Sequence, residues 1–97
     1  MPKRKDDNHR EIQQALERAG ALVIDCTPAP SLHFDCIVIF RGRLHIVEIK
    51  NPLQPPSARR LTPGEARRKE QIEYKGVPYN TVETIEQALK LIGAVKG

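Results

Sequence analysis

The stretch FDCIVIFRGRLHIVEIK, residues 34–50, decides the fold. Two runs rich in Ile and Val, 34–40 and 44–50, flank Arg41-Gly42-Arg43, which is the pattern of a β-hairpin. A two-residue turn centred between Arg41 and Gly42 sets Ile39 opposite Leu44, Ile37 opposite Ile46 and Asp35 opposite Glu48. Side chains alternate across a sheet, so Asp35, Ile37 and Ile39 share a face with Leu44, Ile46, Glu48 and Lys50. Phe34, Cys36, Val38, Phe40, Val47 and Ile49 take the other. Both faces are apolar, which predicts strands in the middle of a covered sheet. A one-residue shift of the turn would instead bring Asp35 against Ile49.

Three ionisable side chains thus gather at one end of an apolar face. Two carboxylates set across a strand pair repel, and low-dielectric surroundings push one of them to take up a proton. A divalent cation converts the same pair into a ligand set. Carboxylate oxygens, with water and phosphate oxygens completing the shell, suit Mg²⁺ or Mn²⁺. Lys50 adds a positive charge two residues past Glu48, suited to orienting an attacking water or stabilising charge on a phosphate. The competing reading is a solvated strand end whose three charges form surface ion pairs.

Upstream, Asn8-His9-Arg10-Glu11 reads as a capping box opening a helix that carries Ile12, Ala15, Leu16 and Ala19 at helical spacing and stops at Gly20. Residues 21–26 form a short strand, and residues 27–32, with Pro28 and Pro30, a connection. Downstream, the proline-rich stretch 52–61 is a long loop. Thr62-Pro63-Gly64-Glu65 is a second capping box, starting a helix to about Lys75 whose apolar residues are chiefly Ala66, Ile72 and Tyr74. Residues 77–82 make a fourth strand. Thr84-Ile85-Glu86-Gln87 caps a last helix that turns Ile85, Ala88, Leu89 and Ile92 inward. The expected architecture is α/β, a mixed central sheet flanked by helices on both faces, in the order α-β-β-β-α-β-α.

A chain of 97 residues has room for a single domain, expected over 1–97 with a flexible basic segment at 1–7. The net charge of +4 fits a polyanionic partner, and the basic residues cluster: Arg59 and Arg60 on the loop, Arg67, Arg68 and Lys69 on the helix after it, all placed to meet phosphates. Two Phe, two Tyr and no Trp argue against a base-stacking platform, so binding would be largely electrostatic and salt-sensitive. Cys26 and Cys36 read as buried apolar residues, and His9, His33 and His45 lack zinc spacing. No apolar run is long enough to span a membrane, and the N-terminus has no apolar segment behind its charges, so a cytoplasmic setting is expected.

Asp35 and Glu48-Ile49-Lys50 in a hairpin, preceded by an acidic helix and followed by helix and strand, resemble the PD-(D/E)xK nuclease superfamily with its restriction-endonuclease-like fold. Residues 41–52, Leu61-Thr62-Pro63-Gly64-Glu65 and Gly76-Val77-Pro78-Tyr79 are similar, more narrowly, to the stand-alone virus-type replication-repair nuclease (VRR-NUC) domains of phages and bacteria. The resemblance implies metal-dependent phosphodiester hydrolysis. It makes Asp35 and Glu48 ligands of Mg²⁺ or Mn²⁺, the Ile49 backbone carbonyl a further ligand and Lys50 the catalytic lysine. It also places Glu11 of the first helix at the metal, where capping offers a second explanation, and suggests Gln71 as an accessory residue. Phe34 stands where the motif has proline. A homodimer acting on branched DNA such as Holliday junctions, in a bacterial cell or phage-infected host, follows from the same likeness. The alternatives are a non-catalytic nucleic-acid-binding module and a less selective DNA or RNA nuclease of the same fold.

Overall fold

A computed structural model describes residues 5–95. Its elements are α1 (Lys5–Arg18), β1 (Leu22–Asp25), β2 (Cys36–Phe40), β3 (Arg43–Ile49), α2 (Pro56–Arg59), α3 (Pro63–Tyr74), β4 (Tyr79–Val82) and α4 (Ile85–Ile92), with one 3-10 turn at Pro30–Leu32. The strands lie in the order β1-β2-β3-β4. The first three are antiparallel and β4 runs parallel to β3, which its crossover through α3 allows. Among the described residues no helix is long and apolar enough to cross a membrane.

The hairpin has the expected register: Ile39 pairs with Leu44, Ile37 with Ile46 and Cys36 with Val47. Its turn needs two residues with positive φ, and Arg41 (50°) and Gly42 (79°) supply them. Glycine adopts that geometry freely; arginine does not, though the Arg41 guanidinium lies 4.9 Å from the centroid of the Phe40 ring.

The core lies on one side of the sheet only. Val23, Cys36, Val38, Phe40, Val47, Ile49 and Val82 meet Ile12 and Leu16 of α1 and Ala88 and Ile92 of α4. Each fully buried side chain of this size stabilises the fold by roughly 1.5–3 kcal/mol. The opposite face is covered at one end, where α3 packs over Tyr79. Elsewhere it is bare: Leu22, Ile24 and Leu44 are 58%, 43% and 53% exposed, in rows with the half-buried Ile39, Ile37 and Ile46. Helices flank both faces, but unequally, because α3 has no fully buried residue with which to extend its cover.

Several local readings change. Of residues 1–7, the first four lie outside the described residues and 5–7 form the opening turn of α1. Asn8 is therefore inside the helix and not its cap. The proline-rich loop contains the single turn α2, begun by Pro56 at a first-turn position where a missing N–H does no harm. In α3, Ala66 and Tyr74 are exposed and only Ile72 is partly covered. In α4, Ala88 and Ile92 are buried and Leu89 packs beside the core, while Ile85 is exposed. The Thr84 hydroxyl accepts the Gln87 N–H at 3.1 Å, but Gln87 reaches one residue past the cap, accepting the Glu83 N–H at 2.7 Å.

Replacing Arg41 by Asn, which tolerates the left-handed region, should raise stability by about 0.5–1 kcal/mol in urea unfolding. A loss would mean that stacking on Phe40 outweighs the backbone strain.

Candidate active site

The chain bends at Phe34 and Asp35, just before β2 opens the hairpin. The ladder reaches Cys36 opposite Val47, yet the Asp35 N–H donates to the Val47 carbonyl as well (3.0 Å), so two residues of one strand oppose a single residue of the other. This is a β-bulge, which redirects a side chain. Asp35 therefore does not stand squarely across from Glu48. Its Oδ2 accepts the backbone N–H of Ile49 at 2.8 Å, and its own carbonyl accepts the Cys26 N–H at 2.8 Å, tying the β1 end to the same spot.

Glu48 and Lys50 come from the end of β3, where the parallel partner sets the backbone. The Lys50 N–H donates to the Val82 carbonyl at 2.9 Å. The Asn8 side-chain amide donates to the carbonyls of Lys50 (3.0 Å) and Glu83 (3.3 Å), so α1 grips the C-terminal ends of both parallel strands. The ladder's inward positions pack on the core while Glu48 projects under α3.

A third carboxylate completes the cluster. Thr62 caps α3, its hydroxyl accepting the Glu65 N–H at 3.2 Å while Glu65 Oε1 accepts the Thr62 N–H at 2.9 Å. The same Oε1 lies 2.7 Å from Lys50 Nζ, which is 3.2 Å from Glu48 Oε2 on its other side. Asp35 and Glu48 are 7% and 4% exposed. Together with Glu65, Cys26, Thr27, His33 and Phe34 they line a pocket of about 120 Å³ at the sheet's end. Tyr79 supports its wall by donating its hydroxyl to the His33 carbonyl at 2.5 Å.

The electrostatics follow from crowding. Burial above all, then a hydrogen bond to Glu65 and the charges of Asp35 and Glu65, push Glu48 up from the ordinary 4.5 to about 8, against the pull of Lys50. Burial works the same way on Glu65, but hydrogen bonds from Glu48, Lys50 and the Thr62 N–H outweigh it and hold Glu65 below the usual carboxylate range. Of the two, Glu48 is therefore the group that gives up its proton less readily. Burial disfavours charge on Lys50, and its contacts with Glu65 and Glu48 overcome this and raise its pKa. Cys36 is pushed up to about 12 by burial and the surrounding carboxylates, and Cys26 is buried and free too, so both are inert apolar fillers.

The structure thus brings together Asp35, Glu48 and Lys50. Glu11 lies on α1 with an exposed side chain and does not line their pocket. Gln71 is exposed and lines a neighbouring pocket with His33, Gly64, Arg67 and Arg68. Arg59 is paired with Glu83 (3.3 Å) and Lys69 with Glu73 (2.8 Å); Arg60 and Arg67 are exposed, and Arg68 donates to the Ser31 carbonyl at 3.1 Å. A larger polar groove of about 410 Å³ beside α1 meets the carboxylate pocket at Thr27, but its acids, Glu17 and Asp25, are exposed, so the reactive character belongs to the smaller pocket. Among the described residues no three Asp, Glu, His or Cys side chains are gathered closely enough to cage an ion by themselves. Glu65 and Asn8 were not singled out as site residues from sequence, since each already has a local helix-capping explanation.

No protein-family model matches the chain, and no curated protein matches it. A solved structure described as a VRR-NUC domain does, with a TM-score of 0.65 and 25% identity over 91% of this chain and 92% of that one. The likeness runs through nearly the whole of both chains, so this chain has the fold of that VRR-NUC domain.

Proposed function

We propose that the protein is a metal-dependent, structure-selective DNA endonuclease that hydrolyses phosphodiester bonds, with branched DNA such as a Holliday junction as substrate. The observation that carries this reading is the pair of nearly buried carboxylates, Asp35 and Glu48, beside an ion-paired lysine in a pocket open to solvent. Carboxylates with strongly raised pKa values in a cleft are concentrated at functional sites.

The donor set fits Mg²⁺ or Mn²⁺. Hard divalent ions take one or two carboxylates and keep several waters, which suits two aspartate and glutamate side chains in a pocket without a closed cage. Asp35 and Glu48 would hold the ion, with the Ile49 carbonyl as a neighbouring oxygen. Such an ion supplies Lewis-acid polarisation of the phosphoryl group and an acidified water. The protein's own contributions are positional. The Ile49 N–H fixes the Asp35 carboxylate, and the α3 cap fixes Glu65, which steadies Lys50. Lys50 would stabilise the negative charge that develops on the scissile phosphate. Basic residues of the α2–α3 region attract the flanking backbone.

Two copies of the chain would present two pockets to two strands of a branched substrate. The bare apolar rows through Leu22, Ile24 and Leu44 support a self-associating domain, and light scattering should report a dimer's mass.

Incubated with four-way-junction, flap and linear DNA, wild type should nick the junction with Mg²⁺ or Mn²⁺ and not with EDTA. Asp35→Asn and Lys50→Ala should lower the rate by about a hundredfold or more. Equal cleavage by all three proteins would exclude the assigned site.

The raised pKa of Glu48 has its own readout. Unfolded, Glu48 ionises near 4.5; folded, it keeps its proton to about 8. Between those values the unfolded chain binds fewer protons, so the metal-free protein should lose stability as pH rises from 5 to 8. Glu48→Gln should flatten that slope of Tm against pH in EDTA, and a wild-type Tm that climbed across the window would contradict the assignment.

A further inference from the structure

A second pocket, of about 190 Å³, adjoins the carboxylate pocket and shares His33 with it. Its other lining residues are Gly64, Arg67, Arg68 and Gln71, so it contains two guanidinium groups and no carboxylate. We propose that this pocket seats a backbone phosphate of the same nucleic-acid strand, next to the phosphate presented to Asp35 and Glu48. The inference rests on the nuclease reading of the carboxylate pocket and adds to it a direction for the strand: across His33 and along the first turns of α3.

Four observations converge. First, the pocket's chemistry is anion-selective. Arginine is the preferred partner of phosphate because its planar fork donates two parallel hydrogen bonds, and Gln71 adds an uncharged donor. Second, Arg68 is already positioned for it. One Nη donates to the Ser31 carbonyl at 3.1 Å, which holds the side chain against the loop, while its Nε is buried without a protein partner. A buried donor left unsatisfied is costly, and a phosphate oxygen would satisfy it.

Third, Gly64 is the means by which α3 comes this close. A Cβ at that position would stand 2.6 Å from His33 Cε1 and 2.8 Å from its Nδ1, so any larger residue would push the helix from the His33 ring. Gly64 also lies in the first turn of a 12-residue helix, where backbone N–H groups lack intrahelical acceptors and the helix dipole favours an anion. Fourth, the neighbouring cations are engaged elsewhere: Lys69 with Glu73, Arg59 with Glu83, and Lys50 with Glu48 and Glu65. Arg67 and Arg68 have no carboxylate within ion-pair distance among the described residues. Arg60, Arg67 and Arg68 are the cations of this cluster without a carboxylate partner among the described residues, and of these Arg67 and Arg68 line the pocket.

The test compares the full-length protein with Arg67→Ala, Arg68→Ala, Gly64→Ala, and the controls Arg18→Ala on α1 and Lys90→Ala on α4. Affinity for four-way-junction and duplex DNA is measured in Ca²⁺ across a salt series, and cleavage in Mn²⁺ separately. Removing Arg67 or Arg68 should weaken binding about tenfold and lower the slope of log Kd against log salt by about one, whereas the controls should change affinity less than about twofold. Because Arg68→Ala also cuts a tie to the loop, exposed Arg67 supplies the variant that leaves the fold intact, with Tm measured on each. Inorganic phosphate titrated into labelled protein should shift the amide resonances of His33 and Gly64 in wild type, and do so weakly in Arg67→Ala. Unchanged affinity and slope in both arginine variants, or equal losses in all five, would overturn the proposal. If wild type cleaves nothing but the arginine effects hold, the nuclease reading fails and the phosphate site stands.

Discussion

Carboxylates removed from water must be balanced locally, and the end of the sheet is built around that requirement. An ion taken into a protein interior loses several kcal/mol of hydration even after the surroundings relax. Asp35 recovers part of this through the Ile49 N–H, and Glu48 through Lys50 and a hydrogen bond to Glu65. Each compensating group has a fixed origin. The Ile49 amide is free for Asp35 because a bulge turns the strand, and Glu65 is rigid because its carboxylate closes a helix cap. The site is assembled from backbone geometry as much as from side chains.

That geometry depends in turn on the rest of the fold. β3 is an interior strand like β2, and it is held by an antiparallel partner, β2, on one side and a parallel partner, β4, on the other. Asn8 adds a clamp from α1 onto Lys50 and Glu83, linking the helix that fills the core to the strand ends that bear the chemistry. The one-sided core then has a consequence. Helices α1 and α4 supply nearly all the burial, which leaves α3 to act as a carrier of polar groups, Glu65 toward the carboxylates and Arg67 and Arg68 toward the adjoining pocket.

The hairpin register was legible because apolar alternation and Gly42 constrain it from both ends, and a one-residue slip would have turned every buried side chain outward. The bulge at Asp35 was not, since it depends on how the preceding loop satisfies its backbone: the Cys26 N–H, nine residues upstream, donates to the Asp35 carbonyl, and no local pattern encodes that contact. Glu65 was visible only as the closing residue of a capping box, and that role accounts for it without reference to Lys50. Asn8 misled for a related reason. Asn followed by Glu three residues later signals a helix start, but acidic residues just before it favour a helix N-terminus too, and the helix begins a turn earlier. In each case a local rule was satisfied while a distant contact decided the outcome.

Charge counting links the site's two protonation states to its chemistry. Asp35, Glu48 and Glu65 line the pocket and Lys50 bridges the latter two, which leaves an excess of two negative charges when all four groups are ionised. A proton on Glu48 removes one of them and a divalent cation would remove both. The proton would thus compete with the ion for the same carboxylate oxygens. A phosphodiester brings a further negative charge and would be repelled by the bare acids. In the proposed reading, the two arginines of the adjoining pocket would offset that charge from the far side of His33, so that a strand would be held by its neighbouring phosphate while the reacting one is kept near the carboxylates.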